Sequence, residues 1–248
     1  MSEEGDPFDS PRLLLSGAKR HMKAFAEQQA AVASAGQWLD PGPGDKPRVR
    51  PGFTLPADMK QIAFDLTSNL RAALDHAVFA STHVLTGYDG EGGTKFPFGG
   101  DNEKEAREDA KRKCKKVPTA MVEYLLAFEP YRDGNPLLYG LNKLRNTKNH
   151  RVLVPMIAGA AELGTFTVQD ASVETLKWDA ATNSLKTVRE PSPNIKPGAV
   201  GTYFRLEALI GSGTFTGEPA LSLFDRLICE VERVVTGIES ETLRIKGS

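Results

Sequence analysis

Leu137-Leu138-Tyr139-Gly140-Leu141-Asn142-Lys143-Leu144-Arg145-Asn146-Thr147-Lys148-Asn149-His150-Arg151 divides the chain in two. Before it, apolar residues recur with the period of a helix; after His150 they alternate as in strands. Leu137, Leu138, Leu141 and Leu144 stand at i, i+1, i+4 and i+7, an apolar stripe on one face of a helix. From Asn142 onward the stretch holds Arg145, Asn146, Lys148, Asn149, His150 and Arg151 and no acid. Donors of this kind around one imidazole suit a phosphate or another anion.

Upstream, Ser10-Pro11 supplies a hydroxyl N-cap and a proline for the first helical position. A helix is predicted from there to about Ser34, with Leu14, Ala18, Met22, Phe25 and Gln29 on one face and Gly36 past its end. Asp40 to Pro56 holds five prolines and three glycines and reads as an irregular connection, with Arg48-Val49-Arg50 as a short extended piece. Ala57 to Thr86 is the longest helical pattern. Ile62, Leu66, Leu70, Ala73, Leu74, Ala77, Val78, Ser81, Val84 and Leu85 share its broad apolar side. Asn69, His76 and His83, seven apart, line the edge of that side, while Arg71 and Asp75 form an i, i+4 pair on the other. Gly87 to Gly93 is a glycine-rich loop, and Phe96-Pro97-Phe98 is an apolar anchor. Asp101 to Lys116 is a helix that opens acidic and closes basic, as the helix dipole favours. Another helix starts at Pro118, with Met121, Leu125 and Phe128 inward, and Arg132 to Pro136 turns the chain into the central helix.

Downstream, alternation marks strands at Gly164 to Gln169, Val173 to Trp178, Leu185 to Arg189 and Thr202 to Ile210. Glu218 to Leu243 returns to helix, with Leu221, Phe224, Leu227, Ile228, Val231, Val234, Val235 and Ile238 inward. The expected class is α+β: one domain over residues 1–248, mainly a helical bundle (10–151), with a small antiparallel sheet (strands within 160–212) inserted before the closing helix (218–243).

The formal net charge of −1 gives no global electrostatic case for nucleic acid, so any basic footprint is local. No apolar run approaches the roughly 20 residues that span a bilayer. The acidic N-terminus lacks the regions of a signal peptide. Cys114 and Cys229 show no disulfide-framework or zinc-ligand spacing. A cytoplasmic protein without metal, cofactor or membrane partner is the expectation. The run Lys111-Arg112-Lys113-Cys114-Lys115-Lys116 has two readings, a phosphate-backbone contact or a solvated helix face. Gly211-Ser212-Gly213-Thr214 lacks the Lys-Ser/Thr ending of a phosphate-binding loop and reads as the turn before the last helix.

Four segments, in order, carry a resemblance: Asn69-Leu70-Arg71-Ala72-Ala73-Leu74-Asp75-His76, Phe96-Pro97-Phe98, Pro130-Tyr131, and Leu141 to Arg151. Together they resemble a group of uncharacterised bacterial proteins with an Asn-Leu-Arg-x-Ala-Leu-Asp-His helix and a downstream Leu-x-x-Leu-x-Asn-x-x-Lys-His-Arg signature. The likeness covers roughly residues 57 to 155, and Asn146, His150 and Arg151 match it. Asn149 stands where that group usually has lysine, and Lys148 where it usually has aspartate. The group has no established activity to carry over. Separately, Arg145-Asn146-Thr147-Lys148-Asn149-His150 is similar to the Arg-Asn-x-x-x-His pattern of the HEPN superfamily, helical proteins that include metal-independent RNA-cleaving toxins.

That second resemblance implies a catalytic set of Arg145, Asn146 and His150. An imidazole with a pKa of about 6.5 can take the 2′-hydroxyl proton, and a guanidinium can stabilise charge building on the phosphoryl oxygens. Asn146 would hold the imidazole or the phosphate, and the product would end in a 2′,3′-cyclic phosphate. Asn69, His76, Lys148 and Arg151 are the candidate substrate-binding residues, RNA or a small anion the expected partner, and a homodimer facing two clefts the expected assembly. On a regular helix Arg145 and His150 point about 140° apart, so their convergence needs a bend or an end between them. Asn146 and His150 share a face, and the Asn69–His76 edge is their expected neighbour. The alternative is a non-enzymatic ligand- or partner-binding protein in which Asn69, His76, Asn146 and His150 form a structural hydrogen-bond network. An exposed cleft shared by Arg145 and His150 favours the first reading. A buried network through His76 favours the second.

Overall fold

The computed structural model describes residues 5–34, 39–40, 48–49, 55–90, 92–145, 154, 156–167, 172–179, 184–191, 200–211 and 213–247. Their order is α1 (Asp9–Ser34), β1 (Leu39–Asp40), β2 (Arg48–Val49), α2 (Ala57–Thr86), α3 (Glu103–Lys113), α4 (Thr119–Leu126), α5 (Pro136–Arg145), β3 (Met156–Thr167), β4 (Ser172–Asp179), β5 (Ser184–Pro191), β6 (Val200–Ile210) and α6 (Ala220–Lys246).

A helical bundle is the frame. α2 packs on α1, α5 and α6, and α6 touches α1, α2, α4 and α5. α2 therefore carries apolar residues over most of its circumference; Met59, Leu66, Leu70, Leu74, Ala77 and Val78 are all buried. It has Pro56 as N-cap and stops at Gly87, whose φ of 71° places it in the left-handed region and lets its N–H reach the His83 carbonyl. The buried line of α1 runs through Leu15, Ala18, Met22 and Phe25, with Leu14 only half-buried. The Phe25 ring meets Phe224 of α6 edge to face at 5.2 Å, an arrangement its quadrupole favours. α1 and α6 run antiparallel, Arg12 pairing with Glu239 and Lys19 with Glu232 at 2.8 Å.

α3 opens on Asn102, whose side chain accepts from Glu105 N at 3.1 Å, while Glu105 Oε2 accepts from Asp101 N at 3.0 Å. Donors at the helix start are thus satisfied reciprocally, as in a capping box. Phe96 and Phe98 are buried, with ring centroids 4.8 Å apart, so the anchor role expected of this tripeptide holds.

The expected single antiparallel sheet is not shown among the described residues. Among the described residues the strands pair in separate two-stranded antiparallel ladders, β1 with β2, β3 with β6, and β4 with β5. β3 begins at Met156, eight residues before the alternation predicts, and its register to β6 shifts between Ala160 and Glu162. The ladder enters the core at one end, where Met156, Ala208 and Ile210 are buried. Gln29 of α1 accepts there from Ala208 N at 3.1 Å.

Candidate functional site

α5 is fixed at its start by Asn135. Its side chain accepts from Leu138 N at 3.1 Å, the third helical position, and Pro136 follows as first residue of the helix. Asn135 Nδ2 in turn donates to Glu230 of α6 at 2.7 Å. Burial alone would raise the Glu230 carboxyl; hydrogen bonds from Arg233 and Asn135 outweigh it and hold the group below the usual glutamate value. Leu138, Leu141 and Leu144 are buried and Leu137 is half-buried, as the stripe predicts. Gly140 faces the Phe215 ring so closely that a Cβ there would lie 2.1 Å from two ring carbons. Only glycine lets α5 and the loop ahead of α6 approach this far.

Towards its other end α5 meets α2 through Asn142, whose Oδ1 accepts from Arg71 Nη1. The Arg71 guanidinium lies 4.8 Å from the centroid of Phe98, and Lys113 Nζ lies 5.9 Å from the same ring. Asp75, one turn along α2, accepts from Phe96 N at 2.9 Å. Gly99 N donates to Pro130 O at 2.7 Å. Four segments spread between residues 69 and 142 thus close around Phe96 and Phe98. Glu129, just before Pro130, has a φ of 53°, a conformation that costs about 1–2 kcal/mol for a residue with a Cβ.

The helical wheel sets Arg71 and Asp75 as an i, i+4 pair on the side of α2 away from its apolar face. Both side chains are half-buried, and each bonds to a different segment. Among the described residues the contacts of the Asn69–His76 edge are to α1. His76 is exposed, with Nδ1 2.7 Å from Ser10 Oγ on α1. Asn69 abuts Gly17 of α1, where a Cβ would stand 2.6 Å from Asn69 Nδ2. Arg145 is the last residue of α5. Asn146, Lys148, His150 and Arg151 lie outside the described residues. His83, a boundary residue in the sequence reading, is half-buried, its Nδ1 3.2 Å from the Tyr88 carbonyl.

What the sequence reading missed is the set Arg71, Asp75, Asn135 and Asn142. The signal was present: α2 is apolar well beyond one half of its circumference, which leaves only a narrow solvated side for its polar residues. Asn135 directly before Pro136 is likewise the pairing of an N-cap with a first-turn proline.

Chemically, the described surroundings of the α5 end offer donors. Arg71 and Lys113 flank an aromatic ring, and Lys143 sits 5.0 Å from the Tyr139 ring. A hollow of about 390 Å³ beside α3 is lined by Glu103, Lys104, Arg107, Glu108 and Lys111, charges of both signs on a single helix with no facing wall. Among the described residues no group of three or more His, Cys, Asp or Glu is arranged to hold a metal ion, and no helix is long and apolar enough to cross a membrane. Comparison with protein-family models, curated proteins and solved structures gives no match to this chain.

Proposed function

We propose that the protein is a HEPN-like, metal-independent endoribonuclease, or a degenerate relative of one, acting at the end of α5. His150 serves as the base that takes the 2′-hydroxyl proton, Arg145 stabilises the phosphoryl oxygens, and Asn146 orients the imidazole or the phosphate. Lys148 and Arg151 extend the anion contacts, and two copies face these sites together in a homodimer. The setting is the bacterial cytoplasm. The strands between residues 156 and 210 belong to one small antiparallel sheet in this reading.

The observation that carries the reading is the brace at Asn142. Arg71 holds α5 three residues before Arg145, and its own guanidinium is held over Phe98. A helix end fixed in this way can present Arg145 with little reorganisation, and preorganised cations are worth most at a developing charge. The test is RNA cleavage by the purified protein in EDTA beside His150→Ala. Products with 2′,3′-cyclic phosphate ends that vanish in the variant would support the enzyme. Intact RNA with both proteins, and a lowered melting temperature for the variant, would reject it.

One observation favours a second reading. Asn69 and His76 join α2 to α1, as structural pins do. In a non-enzymatic protein that binds a ligand or partner, Asn146 and His150 would serve in the same way.

A further inference from the structure

The C-terminal end of α3 is basic, with Lys111, Arg112 and Lys113 in its last turn, and a second segment lies along it. Lys95 N donates to Lys113 O at 3.2 Å, and Lys116 N donates to Gly93 O at 3.0 Å. Cys114 Sγ reaches the Lys95 carbonyl at 3.2 Å. Gly93 has a φ of 76°, and a Cβ there would stand 3.0 Å from Lys116 Cγ, so a glycine is what lets the two segments lie together. The pairing gathers Lys95, Lys115 and Lys116, all exposed, at the end of a helix whose last turn adds Lys111, Arg112 and Lys113. Arg112 and Lys113 share Asp109, at 2.5 and 2.7 Å. Among the described residues Lys95, Lys111, Lys115 and Lys116 have no carboxylate oxygen within 4.0 Å. Four lysines without an ion pair among the described residues, on one edge of a chain with a net charge of −1, are a local feature.

Among the described residues the link from this edge to α5 runs through packing around the buried Phe98 ring. Lys113 rests over one side of the Phe98 environment, Arg71 over the same ring, and Arg71 bonds Asn142. Among the described residues the exposed large apolar side chains, Leu13, Phe79 and Leu243, lie on α1, α2 and α6 and not on this edge, where a membrane-surface site would need them. Lys116 lies 5.7 Å from the centroid of the Tyr88 ring, an aromatic neighbour suited to a base. We infer that Gly93–Lys95 and Lys111–Lys116 together form a track that holds the phosphate backbone of an RNA strand. The RNA in this inference rests on the function proposed for Arg145, Asn146 and His150; the track itself rests on the pairing and the charges.

The test measures binding of a fluorescent single-stranded RNA 20-mer to the full chain in EDTA, across salt concentrations, in a His150→Ala background that prevents cleavage. K95Q/K111Q/K115Q/K116Q should weaken binding at least about tenfold at 0.1 M salt and reduce the slope of log K against log salt by roughly 2–3, as expected for three to four lost phosphate contacts. The fourfold Lys→Arg variant keeps the charge and should bind like the parent. Melting curves identify any variant that has lost its fold. Equal binding and equal slope for the Gln variant would overturn the track even if the protein cleaves RNA. So would absence of RNA affinity in the parent, or binding of phosphatidylserine–phosphatidylcholine vesicles in place of RNA. Binding that depends on the four lysines in a protein that never cleaves RNA would keep the track and remove the nuclease.

Discussion

Arg71 of α2 donates to the side-chain carbonyl of Asn142 on α5 while its guanidinium lies over Phe98, so one side chain locks two helices and a loop together. Replacing it with lysine keeps the charge and removes the planar fork. We expect Arg71→Lys to lower stability by about 1–3 kcal/mol in urea unfolding, and Asn142→Ala to do the same. The double variant should lose clearly less than the sum, since both changes break one contact. Additive losses would mean that the two residues act separately.

Glu230 gives α6 a pH-sensitive hold on the start of α5. Its carboxyl is depressed in the folded state, so its contribution is fully present above the unfolded value and fades as pH falls through the folded one. Glu230→Gln should cost about 1–2 kcal/mol at pH 7, and the gap to the parent should close below about pH 4. Thermal melts across pH check this. A gap that stays constant down to pH 3 would show that the charge is not what matters.

At Gly140 helix propensity and packing oppose each other. Alanine favours a helix by about 1 kcal/mol, but its methyl would meet Phe215 at 2.1 Å. Packing should win, and Gly140→Ala should be destabilised by about 1–3 kcal/mol. Phe215→Leu in the same chain should recover part of that loss. A more stable Gly140→Ala would mean that the ring swings away freely.

The two thiols should differ sharply in reactivity. Burial, then the nearby Asp109, pushes the Cys114 thiol up to about 12, so almost none is thiolate at pH 8. Cys229 is exposed, although burial of part of its surface and the carboxylates of Asp225 and Glu232 raise it too. An aromatic disulfide reagent should therefore titrate one thiol in the native protein at pH 8 and two in denaturant. Fast reaction of both in the native state would contradict the packing of Cys114 against Lys95.

How much could be read beforehand varied with the source of each signal. α2 was legible residue for residue, because Pro56 and Gly87 bracket thirty residues of one period. The stripe of α5 was legible for the same reason. β3 was not. Ala158, Gly159 and Ala160 carry little strand preference of their own, and their pairing with β6 makes the strand. At the site, periodicity found the polar positions of α2 but did not show that Arg71 reaches α5. Asn69 and His76 touch α1, whereas Arg71 and Asp75 reach Asn142 and Phe96. A helical wheel ranks faces by apolarity, and it cannot say which neighbour covers each side of a helix packed on three others.

α6 packs against α1, α2, α4 and α5, and it starts only at Ala220. On a ribosome the chain from the end of α5 to the end of α6, residues 145 to 246, takes on the order of 5–20 s to make at about 5–20 residues per second. For that interval Phe25, Leu138 and the apolar side of α2 lack their last partner. The nascent protein therefore carries an open hydrophobic trough, and its solubility during synthesis depends on how fast its final helix arrives.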